Sequence, residues 1–117
     1  EGILKISGWI SLDDANVENG CLKILRGSHT KVLSHDKIKE EIGFGNRIHL
    51  EADIEEKCEA VILGKGDVLI FSDLLLHSSY PNTNQKDRWC LIPTYRKVGV
   101  QDNCLKLGGI WDKPIRL

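Results

Sequence analysis

Apolar and polar positions alternate with a period of two at the start of the chain. In Ile3–Leu12, Leu4, Ile6, Ile10 and Leu12 alternate with Lys5 and Ser11, which predicts a strand with those apolar residues on its buried face. Gly8 inside that run implies a bulge or a close approach by another segment. Asp13–Gly20 is polar and ends in Asn19-Gly20, a turn signal. The Asp13-Asp14 pair is expected to open this turn by accepting backbone N–H bonds. Cys21–Leu25 returns to strand character, and Arg26-Gly27-Ser28-His29 closes it with a turn. Lys31–Asn46 is irregular and reads as a surface insertion, with a turn or two of helix over Lys37–Ile42 behind Ser34.

Further strands are expected at Arg47–Leu50 and Cys58–Leu63, separated by the solvated charge run Glu55-Glu56-Lys57. Gly64–Asp67 is a tight turn. Val68–Phe71 is wholly apolar and reads as a short buried core strand that Asp73–His77 continues. Ser78–Asp87 is a polar loop. Arg88–Arg96 is the last clear strand, and Pro93 moves it toward a sheet edge. Val98–Leu117 is a tail. Five to seven short strands with Gly, Asn and Asp turns and little helix predict an all-β fold, a sandwich or jelly roll.

At 117 residues the chain is one domain's worth. Sixteen basic and seventeen acidic residues give a net charge of −1, without the basic excess of a nucleic-acid binder. No apolar run is long enough for a membrane span, and no signal peptide is visible. Cys21, Cys58, Cys90 and Cys104 show no CxxC or CxxH spacing, which argues against a thiolate zinc site. Reduced thiols in an intracellular, cytoplasmic protein are expected. The chain contains no Met and begins Glu1-Gly2-Ile3, so it reads as processed, trimmed or part of something longer.

Among the four histidines, His29 and His35 are expected to be ordinary turn and surface residues. His77 differs, because Val68–Phe71 delivers it from the core to a strand end, a setting that suits a metal ligand. Arg88, on the return strand, could bind a carboxylate through two parallel hydrogen bonds, or pair at the surface with Asp87 or Asp73. Asp73 could orient the second nitrogen of His77, although a surface role fits it better. The sequence has no G-x-S-x-G elbow, phosphate loop or zinc-finger spacing, which places a hydrolase well behind other readings.

Five pieces occur in order: Trp9-Ile10-Ser11-Leu12-Asp13-Asp14, Asn19-Gly20-Cys21-Leu22, Gly27-Ser28-His29, Gly66-Asp67-Val68-Leu69-Ile70-Phe71, and His77-Ser78-Ser79 with Pro81-Asn82 and Arg88. Together they resemble the phytanoyl-CoA dioxygenase family over residues 9–96. The resemblance implies a double-stranded β-helix of the cupin-like jelly-roll kind, carrying a non-haem Fe(II)/2-oxoglutarate-dependent dioxygenase. Such an enzyme oxidises a C–H bond of a small or acyl substrate as 2-oxoglutarate is decarboxylated to succinate. By resemblance, His77 is the distal iron ligand, Arg88 pairs with the far carboxylate of 2-oxoglutarate, Ser79 helps hold the cosubstrate and Trp9 lines its pocket. Gly27-Ser28-His29 is expected to be structural.

The family's His-x-Asp pair precedes the Trp-led strand, so it is expected before Glu1. His49-Leu50-Glu51 reads as His-x-Glu but stands on the wrong side of the pattern, so an exposed strand is the expectation there. One histidine is a poor iron site, since the facial triad needs three ligands. The 117 residues are therefore expected to form the C-terminal part of a larger catalytic domain, inactive alone. The alternative is a non-catalytic jelly-roll binding module that keeps a carboxylate pocket.

Overall fold

The strand Lys5–Ser11 (β1) is the axis on which the architecture is built. A computed structural model describes residues 5–31, 36–37, 46–47 and 51–97. Its further elements are β2 (Leu22–Ile24), a 3-10 turn (Ser28–Thr30), β3 (Asp36–Lys37), β4 (Asn46–Arg47), α1 (Ala52–Glu55), β5 (Glu59–Val61), β6 (Val68–Ser72), β7 (His77–Ser79), β8 (Cys90–Leu91) and β9 (Thr94–Arg96). β6, β1 and β8 form one sheet, in which β9 also pairs with β1. β5, β2 and β7 form a second, and β3 pairs with β4. Every pairing is antiparallel. The chain passes back and forth between the two main sheets, and their inner faces meet at Trp9, Phe71 and Leu22. Val61, Leu63, Leu69, Leu75 and Cys90 pack around that centre. The mainly-β jelly-roll expectation is met.

The face of β1 that turns inward is the opposite of the expected one. Trp9 and Ser11 are buried, whereas Leu12 is exposed and Ile6 and Ile10 are half-buried. Trp9 lies opposite Leu69 and Ser7 opposite Phe71, so the indole joins the largest side chains of β6. Ile6 and Ile10 share the outer face with Val68, Ile70, Leu91 and Tyr95. Both faces of β1 carry apolar residues, and the bulk of Trp9 decides which face meets the second sheet.

Gly8 is a point of close approach, not a bulge. Its N–H donates to the Pro93 carbonyl at 2.8 Å, and an added Cβ would lie 3.4 Å from Pro93 Cγ. β8 and β9 keep one register along β1 on either side of Pro93, which lacks an N–H and sits on the sheet margin as expected.

Three expectations are revised. β6 is not an enclosed core strand: among the described residues it pairs only with β1, and Ile70 is 69% exposed while its neighbour Phe71 is 8% exposed. Asp73–His77 does not prolong it, because the chain turns after Ser72 and crosses to the second sheet at His77. Glu55 ends α1, and Glu55, Glu56 and Lys57 are exposed as the expected solvated charge run, with the Glu55 carboxylate paired to Lys23. Lys37 belongs to β3 and does not begin a helix. The rest of the expected helix, residues 48–50 with His49, residue 35 and the tail from 98 onward with Cys104 lie outside the described residues. Strand segments number nine among the described residues, more than the five to seven expected.

The expected turns form. Asp67 accepts the Gly64 N–H at 2.7 Å, and Gly66 takes φ 92°. Gly20 takes φ 85° after Asn19. Cys21, Cys58 and Cys90 are free thiols. No helix among the described residues is long and apolar enough to cross a membrane.

Candidate functional site

Arg88 reaches the space between the sheets from the loop that precedes β8. Its backbone is held on the C-terminal side, where the Trp89 N–H donates to Asp13 Oδ2 at 2.9 Å and the Trp89 carbonyl accepts from the Leu12 N–H at 3.1 Å. The guanidinium stands 4.9 Å from the centroid of the Trp9 ring, a cation–π distance. Its Nε–H donates to the Asn19 carbonyl at 3.1 Å. Nη1 is buried and has no hydrogen-bond partner among the described residues. Neither Asp87 nor Asp73 pairs with it, so the surface salt-bridge alternative does not hold.

A buried guanidinium N–H without an acceptor is costly in a folded protein. A carboxylate ligand would remove that cost, because it supplies two acceptor oxygens in a plane that matches the guanidinium. Surrounding groups keep this corner dry. Trp9 is 7% exposed, and Cys21 is fully buried. Burial pushes the Cys21 thiol above its ordinary pKa, while the Val61 backbone and the Arg88 charge pull the other way.

His77 opens β7. Its Nδ1–H donates to the Leu75 carbonyl at 2.7 Å, which places the proton on Nδ1 and leaves the Nε2 lone pair for a ligand bond. The imidazole packs edge-on against Phe71, centroids 4.9 Å apart and planes at 62°. Phe71 and Trp9 belong to one core cluster, so His77 and Arg88 flank a shared aromatic centre. Ser79 lies two residues beyond His77, on the same face of β7 and opposite buried Leu22. The Leu75 carbonyl, not Asp73, orients His77; Asp73 is exposed.

Within Gly27-Ser28-His29, Ser28 has a structural role. Ser28 Oγ accepts the Leu76 N–H at 2.8 Å and fixes the approach to β7. His29 is exposed, on a cleft of about 580 Å³ that Phe71 and Leu75 also line but Trp9, His77, Ser79 and Arg88 do not. Asp13 and Asp14 accept backbone N–H bonds from Trp89 and Lys65, as expected of a turn-opening pair. Asn19 was not singled out as a site residue. The sequence marks it through the Asn-Gly turn and the motif it opens, neither of which points to its carbonyl, since any residue offers one.

The residues fit a dicarboxylate better than they fit a metal ion. Arg88 presents an unmatched buried donor beside an aromatic wall. For iron, His77 offers one ligand nitrogen, and no group of three or more His, Cys, Asp or Glu stands together among the described residues. Glu51 is exposed ahead of α1, and its backbone carbonyl accepts from Ile54 and Glu55.

Comparison with known proteins decides the family, because the sequence profile described as Phytanoyl-CoA dioxygenase (PhyH) matches residues 3–90. The chain belongs to the phytanoyl-CoA dioxygenase family. It is 35% identical over 85 residues to the human peroxisomal phytanoyl-CoA dioxygenase, covering 70% of this chain and 25% of that protein. It is 32% identical over 90 residues to a phytanoyl-CoA dioxygenase domain-containing protein 1 homolog of Caenorhabditis elegans, covering 68% of this chain and 30% of the relative. The chain thus spans between a quarter and a third of these relatives' length.

Among solved structures, EvdMO1 superposes with a TM-score of 0.59 at 25% identity, over 81% of this chain and 20% of that one. The epimerase SnoN, in complex with Fe3+, alpha ketoglutarate and nogalamycin RO, superposes with a TM-score of 0.59 at 22% identity. That match covers 97% of this chain and 45% of SnoN, and it shows a shared fold. Iron(II) and 2-oxoglutarate are the cofactor and cosubstrate of the phytanoyl-CoA dioxygenase family.

Proposed function

We propose that this chain forms the cosubstrate-anchoring part of an Fe(II)/2-oxoglutarate-dependent dioxygenase that oxidises a C–H bond of a small or acyl substrate. The observation that carries the reading is the buried, unpartnered Nη1 of Arg88 over the face of Trp9. With Nε committed to Asn19, the terminal nitrogens are left for the distal carboxylate of 2-oxoglutarate. Trp9 walls the pocket and excludes water, which strengthens the charge pairing. Ser79 lies on the His77 face of β7, where its hydroxyl would help hold the cosubstrate. His77 would hold iron through Nε2, the nitrogen left open by the bond to Leu75. Iron(II), when bound, supplies the oxygen chemistry that couples decarboxylation of 2-oxoglutarate to substrate oxidation.

The second reading is a carboxylate-binding jelly roll that works without metal. It is favoured by the lack of a three-ligand group among the described residues.

Titration calorimetry with 2-oxoglutarate, with and without iron(II), tests both readings. The unaltered chain is expected to bind, and Arg88→Ala is expected to weaken binding at least about tenfold, the equivalent of one charged hydrogen bond. Equal binding by the variant would overturn the assignment of Arg88. Affinity that rises with iron(II) supports the dioxygenase reading. Affinity indifferent to it leaves the Arg88 assignment standing, and counts for the metal-free module only in a protein that also supplies the further iron ligands His77 lacks among the described residues.

A further inference from the structure

We infer that Asn16 and Asn19 act as a positioning pair for Arg88, fixing the guanidinium before any carboxylate arrives. This inference rests on the reading of Arg88 as the carboxylate anchor. A charged side chain with many rotamers binds weakly unless its conformation is set in advance, because ordering it on binding costs entropy. Arg88 is set by a loop that holds it directly at one place and holds its neighbour Trp89 at another. Asp13 and Leu12 grip the backbone of the next residue, Trp89, and the Asn19 carbonyl takes the Nε–H.

That carbonyl is itself held. The Asn16 N–H donates to Asn19 Oδ1 at 2.8 Å, and the Asn19 N–H donates to Asn16 Oδ1 at 3.1 Å, a reciprocal closure of the turn. Asn19 Nδ2–H donates to the Asp14 carbonyl at 2.7 Å. The Asn16 carbonyl accepts the Cys21 N–H at 2.9 Å, and the Glu18 carbonyl accepts both the N–H and the hydroxyl of Thr83, at 2.9 and 3.0 Å. Asn19 also bridges Asn82 across to the loop that leads to Arg88.

The arrangement has a chemical consequence. Anchoring through Nε, with the Trp9 ring against the guanidinium, restrains rotation about the last side-chain bonds and leaves the buried Nη1 without an acceptor. Asn16 touches neither the guanidinium nor the pocket. Its effect on Arg88 passes through Asn19, which makes it a positioning residue and not a catalytic one.

The test is the Arg88 Nε–H resonance of the 15N-labelled 117-residue chain, followed during titration with 2-oxoglutarate and with 2-oxobutanoate, which lacks the distal carboxylate. In the unaltered chain the signal is expected to be protected from solvent exchange and to shift with 2-oxoglutarate only. Asn16→Ala should remove the protection and weaken 2-oxoglutarate binding roughly tenfold, with dispersed backbone amide signals retained. Asn16→Asp keeps an acceptor for the Asn19 N–H and should restore both properties.

Protection and affinity unchanged in Asn16→Ala would overturn the inference, as would equal loss in the Ala and Asp variants. Collapse of the amide spectrum in both variants would assign the pair to folding alone and overturn it too. Arg88→Ala separates this inference from the reading beneath it. If Arg88→Ala leaves the preference for 2-oxoglutarate intact, the anchor reading fails. If it abolishes that preference while Asn16→Ala does not, only the positioning role fails.

Discussion

Arg88 combines three constraints that a surface arginine lacks: an aromatic plane beneath it, a carbonyl on Nε and a dry wall around Nη1. Lysine has neither the plane nor the fork. Arg88→Lys is therefore expected to keep the fold yet bind 2-oxoglutarate about tenfold more weakly, as read by calorimetry. Cys21 gives a second check at this scale. Its thiol is pushed above the ordinary value chiefly by burial, so the folded state holds the proton more tightly than the unfolded one. Its contribution to stability is complete below the ordinary thiol pKa and is lost as the pH rises above it. Native-state alkylation should label Cys58 and Cys90 before Cys21, and Cys21→Ala should reduce the alkaline loss of stability. Arg88, Trp9 and His77 were legible because the order of motifs marked them. The Asn19 carbonyl and the Leu75 carbonyl were not, because a backbone acceptor carries no residue identity and is found only once the chain is folded.

On β6, neighbouring residues face different worlds. Phe71 is in the core and touches His77, whereas Ile70 points to the outer face. Phe71→Ala should cost about 3–5 kcal/mol of stability, and Ile70→Ser less than about 0.5 kcal/mol, both measured by urea unfolding. Gly20 stands at φ 85° with space for a Cβ only 3.0 Å from the Tyr80 carbonyl oxygen. Gly20→Ala should cost at least about 1–2 kcal/mol in the same assay. The alternation that revealed β1 could not tell its two faces apart, since Ile6 and Ile10 oppose Trp9 across a strand that is apolar on both sides. Val68–Phe71 looked enclosed for a related reason. A continuous apolar run shows that both faces are apolar, not that both are covered.

At the scale of the molecule, two antiparallel sheets close around Trp9, Phe71 and Leu22, with Arg88 against Trp9 and His77 against Phe71. The jelly-roll class was legible from the short strands and turns, and the family from five ordered motifs that the profile match over residues 3–90 bears out. Iron chemistry depends on a ligand count that His77 alone does not meet among the described residues. The 117-residue chain is expected neither to retain stoichiometric iron after dialysis nor to release succinate from 2-oxoglutarate. Metal analysis and a succinate assay check this directly. The central claim concerns the carboxylate, and the measurement that reaches it most directly is a crystal structure of the chain with 2-oxoglutarate. The account predicts the distal carboxylate about 3 Å from Arg88 Nη1, beside Trp9. A cosubstrate bound elsewhere, with Nη1 still unpartnered, would contradict it.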